Sequence, residues 1–173
     1  MKKLLVVVDY QIDFVNGALG TDAAQAIKDN IVEMIRTYQE RGDDVIFTLD
    51  THYEDYMSTY EGIHLPVPHC IKGTAGHDLF GELKSLSQGC QTFEKTTFPS
   101  LDLAIYLADK NYKEVAVIGV VTDICVLSNC IMIKSALPNA AITVHKKCCA
   151  SNDPVQEQKA YDVMTGSLQI NVE

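Results

Sequence analysis

Cys125 stands in Gly119-Val120-Val121-Thr122-Asp123-Ile124-Cys125-Val126, where a strongly apolar run gives way to a helix-compatible one. A thiol at that junction lies near a helix N-terminus, whose unpaired N–H groups and partial positive charge favour the thiolate. The same N–H groups can stabilise an oxyanion. Asp9 directly follows another apolar run, and Lys95 closes a long segment rich in glycine and proline. Taken singly, each has an ordinary reading: a buried packing thiol, a helix cap or loop anchor, a solvated surface lysine. An acid, a lysine and a thiol at the strand ends of one parallel sheet would instead supply a base, an electrostatic stabiliser and a nucleophile.

The elements that must position these groups follow from apolar patterning. Lys3 to Val8 is continuous, rich in β-branched residues and ends in an acid, as suits a strand buried on both faces. Ala23 to Arg41 carries apolar residues at helical spacing with Gly42 as a stop, and Val45 to Leu49 is a second strand ending in Asp50. The order repeats with a helix over Leu101 to Lys110, a strand over Glu114 to Val121 and a helix over Asp123 to Leu137. A short strand over Ala141 to Val144 and a helix over Pro154 to Thr165 follow. Thr51 to Thr97 is weakly periodic, and Asp78 to Ser87 is its one candidate helix. This alternation predicts a three-layer α/β/α domain with a central, mainly parallel sheet, occupying residues 1–173 as one domain. Such sheets bind ligands beyond the carboxyl ends of their strands. That edge holds Asp9, Asp50 and the segment leading to Cys125.

Composition narrows the function classes. A hydrophobic share of 47% with 21% charged residues is that of a globular core, and a formal net charge of −9 without a basic stripe argues against nucleic acid. No stretch approaches the length needed to span a bilayer. Met1-Lys2-Lys3 and the apolar residues after it resemble the start of a signal peptide, but Asp9 and Asp13 interrupt the run, so a cytoplasmic protein without membrane partners is expected. Six cysteines without an export signal or a CxxC pair read as reduced thiols.

Five segments together resemble the isochorismatase-like cysteine hydrolases, which include the nicotinamidases. They are Val6 to Phe14, Asp50-Thr51-His52, Pro68 to Thr74, Lys95 to Phe98, and Gly119 to Val126, in the family's order and across nearly the whole chain. The resemblance implies that Asp9 is the general base and proton shuttle, Lys95 its catalytic partner and Cys125 the nucleophile. It also implies a cis peptide between Val120 and Val121, with the Val121 and Cys125 N–H groups forming an oxyanion hole. The activity implied is hydrolysis of a small amide through a Cys125 thioester, nicotinamide first, which would belong to NAD salvage. The alternatives are a metal-independent amidase or carbamoyl hydrolase of the same family, and a non-catalytic relative that binds a ligand or senses oxidants. A homo-oligomer is implied as well.

The nicotinamidase branch further implies a divalent metal, zinc first, with iron or manganese as alternatives, held by Asp50, His52 and His69. Glu61 is preferred over His64 as the fourth ligand on its distance from His52. Phe14 resembles the aromatic residue that packs on the substrate ring, whereas the second aromatic wall of some relatives is replaced by Leu65-Pro66-Val67. His77 and His145 match no motif and are expected to be ordinary surface or loop histidines.

Overall fold

The computed structural model describes residues 2–173. Six strands form one sheet: β1 (Leu4–Val8), β2 (Asp44–Asp50), β3 (Gln91–Lys95), β4 (Glu114–Val120), β5 (Ala141–Ala150) and β6 (Asn171–Val172). Their order is β3-β2-β1-β4-β5-β6, and every neighbouring pair is parallel. The helices are α1 (Ile12–Val15), α2 (Asp22–Ala26), α3 (Lys28–Glu40), α4 (Tyr60–His64), α5 (Leu83–Leu86), α6 (Leu101–Ala108), α7 (Leu127–Ala136) and α8 (Pro154–Gly166). None is long and apolar enough to cross a membrane.

Alternation along β1 explains the three layers. Leu4, Val6 and Val8 face one side and pack with residues of α6, α7 and α8, among them Leu103, Ile133 and Met164. Leu5 and Val7 face the other side, with Ile31 and Ile35 of α3 and with Phe14 and Leu83 of the shorter helices. All five β1 residues are fully buried, so a continuous apolar run is what this central position requires. Gly119 lets β4 lie against β1: its φ is +122°, and a Cβ there would sit 2.0 Å from the Val8 carbonyl oxygen.

The structure departs from the sequence reading at several elements, among them the candidate helix over Asp78 to Ser87, which is α-helical only at α5, Leu83–Leu86. The helix expected over Ala23 to Arg41 is two, α2 and α3, broken at Ile27; Thr21 caps the first through its hydroxyl, and apolar spacing runs unbroken across the junction. The helix expected from Asp123 begins as a π-helical turn, Thr122–Val126, before α7. The strand expected over Ala141 to Val144 runs on to Ala150, through a bulge and the polar His145-Lys146-Lys147, which conceals it from an apolar count. β6 is two residues long and too short to leave a pattern. β3 lies within the segment read as irregular. It is an edge strand paired only with β2 and mostly unburied, so it has no apolar signature, yet it ends in Lys95.

Candidate active site

Asp9, Asp50 and Lys95 all sit at strand ends on the carboxyl edge of the sheet, and the turn after β4 brings Cys125 to the same edge. In the β2–β3 register Asp50 is the direct neighbour of Lys95. The Lys95 ammonium lies 2.7 Å from Asp9 Oδ2, 3.1 Å from Asp50 Oδ1 and 3.7 Å from the Cys125 sulfur. Asp9 is wholly buried and Lys95 and Cys125 nearly so. Asp9 adopts a left-handed φ of 47°, which turns the chain as it leaves β1, and the Thr48 hydroxyl donates to its Oδ1 at 2.7 Å.

Burial governs the ionisation of these groups. It raises the Asp9 carboxyl above the usual carboxylate range, although the Lys95 ammonium partly offsets the rise. Burial disfavours the charge on Lys95, but Asp9, Cys125 and Asp50 outweigh it and raise the ammonium above its ordinary value, so it stays protonated. Burial also pushes the Cys125 thiol well up; Lys95 opposes this, while Asp9 and Asp50, and a hydrogen bond to Asp9, reinforce it. The resting site therefore holds a thiol beside a carboxyl group able to take its proton. The Val120–Val121 peptide is cis. Cys125 itself lies in the π-helical first turn, in which the Ile124 and Val126 N–H groups both donate to the Val121 carbonyl at 3.1 Å.

A second cluster adjoins the first through Asp50. Its other carboxylate oxygen, Oδ2, lies 3.0 Å from His52 Nε2 and 3.3 Å from His69 Nε2. Glu61 Oε1 is 3.6 and 3.7 Å from the same two nitrogens. One ligand atom from each of Asp50, His52, Glu61 and His69 falls within 4.8 Å of all the others. The Val67 carbonyl, 2.8 Å from His69 Nδ1, can only accept, so Nδ1 carries a proton and Nε2 is the ring nitrogen that faces the cluster. Two imidazole nitrogens and two carboxylates in one compact group are a donor set that fits a divalent zinc, iron or manganese ion. His64 is exposed and bonds the Tyr60 carbonyl instead.

Phe14 is placed beside this cluster, its ring centroid 5.4 Å from that of His69. Tyr56 supplies a further ring, 4.7 Å from His52 and 5.1 Å from His69, and its hydroxyl bonds the Leu65 carbonyl. The expectation of a surface position for His77 needs correction: it lies in the turn Ala75–His77 but is buried, with Nε2 2.8 Å from the Thr51 hydroxyl. His145 lies on β5 and not in a loop, since that strand is longer than its apolar part. Sequence reasoning also missed Gln11, whose amide bonds the Asp50 carbonyl at 2.9 Å and the His77 carbonyl at 2.8 Å while accepting from the Asp50 N–H at 2.8 Å. It missed Thr48 too. A hydroxyl inside the otherwise apolar run Val45 to Leu49 was the available signal.

The isochorismatase domain model matches residues 3–172. The chain belongs to the isochorismatase family. An isochorismatase family protein of Bacillus subtilis is 35% identical over 163 residues, 87% of each chain. The crystal structure of a nicotinamidase/pyrazinamidase from the same organism superposes with a TM-score of 0.88 at 32% identity, covering 99% of both chains. A pyrazinamidase of Pyrococcus horikoshii in complex with zinc superposes with a TM-score of 0.86 at 26% identity, over 100% of this chain and 99% of that one. The isochorismatase fold is thus present over its whole length, with two charged clusters built on the carboxyl edge of its sheet.

Proposed function

We propose that the protein is an amidohydrolase that cleaves a small amide, nicotinamide first, to its carboxylic acid and ammonia through a thioester on Cys125. The observation that carries this reading is the buried Lys95 ammonium, in contact with Asp9 on one side and the Cys125 sulfur on the other. A buried cation held between a carboxyl group and a thiol serves acyl transfer; ligand binding alone does not call for it.

In the first half-reaction Asp9 takes the thiol proton as Cys125 Sγ bonds to the amide carbon. The carbonyl oxygen gains the electron pair, and the Val121 and Cys125 N–H groups stabilise it. The tetrahedral carbon then expels nitrogen, to which Asp9 returns the proton, so ammonia leaves and a thioester remains. In the second half-reaction Asp9 accepts a proton from water, the hydroxyl adds to the thioester, and the acid departs as Cys125 regains its proton. Lys95 stays cationic throughout and stabilises whichever of Asp9 and Cys125 carries the negative charge.

Asp50, His52, Glu61 and His69 would hold the divalent ion, with zinc favoured by the related pyrazinamidase. A bound ion supplies an attachment point for a ring nitrogen of the substrate, which orients its amide. Phe14 offers a flat face for that ring. The reading is tested by ammonia release from nicotinamide, pyrazinamide, simple aliphatic amides and carbamoyl compounds, with Cys125→Ala as control. Steady release that Cys125→Ala abolishes is expected. Release unchanged in that variant, or none from any amide by metal-loaded protein, would overturn it.

A further inference from the structure

We propose that Asn129, a residue of α7 whose side chain bonds only backbone groups, is a positioning residue that sets the distance between Cys125 and Lys95. The proposal rests on the reading of Cys125 as the nucleophile. Lys95 ends an edge strand, so the sheet holds it from one side only, through β2 and the bond from the Thr51 N–H to the Lys95 carbonyl at 2.8 Å. The three residues after it, Thr96, Thr97 and Phe98, are exposed. The chain is next secured at the Phe98 carbonyl and at Ser100, which is buried and whose N–H donates to Asn129 Oδ1 at 3.0 Å.

Asn129 is fully buried, and its Nδ2 donates to the Cys125 carbonyl at 2.8 Å and to the Phe98 carbonyl at 3.3 Å. Its amide orientation is unambiguous, since an N–H faces Oδ1 and two carbonyls face Nδ2. A single planar group therefore ties the backbone of the nucleophile to the loop that follows Lys95. The Ser100 hydroxyl also caps α6 by accepting from the Leu103 N–H at 3.1 Å, so the tied loop is anchored at both of its ends. The 3.7 Å separation between Lys95 Nζ and Cys125 Sγ spans these two tethered segments. Small displacements of reacting groups have large kinetic effects, on the order of 100-fold for 1 Å.

The test compares Asn129→Ala, which loses every bond, with Asn129→Asp, which keeps the acceptor for Ser100 but loses both donors. For each variant kcat, KM and bound metal are measured on metal-loaded protein, and the rate of Cys125 alkylation by iodoacetamide is followed by mass spectrometry. Expected are a kcat lower by about 10- to 100-fold, a parallel fall in Cys125 alkylation, and KM and metal content close to wild type. Alkylation needs no turnover, so wild-type protein that alkylates at Cys125 yet cleaves no amide defeats the proposed substrate and leaves this comparison valid. Wild-type kcat and alkylation in a folded variant would overturn the proposal. So would a loss matched by the unfolded fraction, or failure of both variants to fold, because either outcome assigns Asn129 to stability alone.

Discussion

At the scale of single residues, the site depends on buried charges that compensate one another. Asp9 can act as a base only when ionised, and burial raises its pKa. The acid limb of kcat/KM is therefore expected above the usual carboxylate range, with activity falling as the pH drops and Asp9 gains a proton. Lys95→Met removes the ammonium that holds the Asp9 value down, so besides lowering the rate it should move this limb to higher pH. A pH–rate profile of both proteins checks the sign; a limb that stays put or moves down would separate Asp9 from Lys95. Thr48→Val probes the other carboxylate oxygen, which accepts the Thr48 hydroxyl at 2.7 Å. Valine matches threonine in shape but leaves Oδ1 without that donor, at a cost of about 1–3 kcal/mol. A roughly 10-fold fall in kcat/KM with little change in metal content is expected, read by steady-state kinetics and elemental analysis. Asp9 and Cys125 could be singled out from sequence because each sits where an apolar run ends. Thr48 offered only a hydroxyl in an apolar run and Gln11 no signal at all, because their partners, Asp9 for the one and Asp50 and His77 for the other, are distant in sequence.

At the scale of elements, the sheet edge is set by how closely β1 and β4 approach. Gly119 combines a φ of +122° with 2.0 Å between its would-be Cβ and the Val8 carbonyl oxygen. Gly119→Ala must strain the backbone and part the strands that lead to Asp9 and Cys125. It should cost about 3 kcal/mol or more and lower activity in the fraction that remains folded. Chemical denaturation and activity per folded molecule measure the two effects, and wild-type stability in the variant would contradict this account of the β1–β4 contact. Elements were readable from the chain where burial is two-sided. β1, β2 and β4 are continuous apolar runs, whereas β3 is amphipathic only in part and has one neighbour. The break between α2 and α3 escaped because a kink changes direction without changing spacing.

At the scale of the whole molecule, the candidate metal-binding cluster joins the sheet to the long segment after β2: Asp50 ends a strand, His52 follows it, Glu61 lies on α4, and His69 comes from the loop beyond. A bound ion would cross-link these parts in the folded state only. Chelation is expected to lower both the melting temperature and amide hydrolysis, and returning zinc to restore them. Ligand at 100 times its Kd stabilises by about 2.7 kcal/mol, enough for a shift of several degrees. Calorimetry and ammonia release on the same samples test this, and full activity with an unchanged melting temperature in chelator would reject the metal reading.

The sequence by itself determined the layers, the parallel sheet and the edge on which the chemistry sits, because burial patterns are local and a strand buried on both faces announces itself. It also determined the family, through five short segments whose order survives without knowledge of their contacts. Only the tertiary structure decided that Lys95 meets both Asp9 and Cys125, that Asp50 faces both clusters, and that Glu61 joins the two histidines while His64 turns away. Those placements follow from strand register, from the edge position of β3 and from the path of the segment between β2 and β3. Each is a relation between distant residues, on which local spacing carries no information.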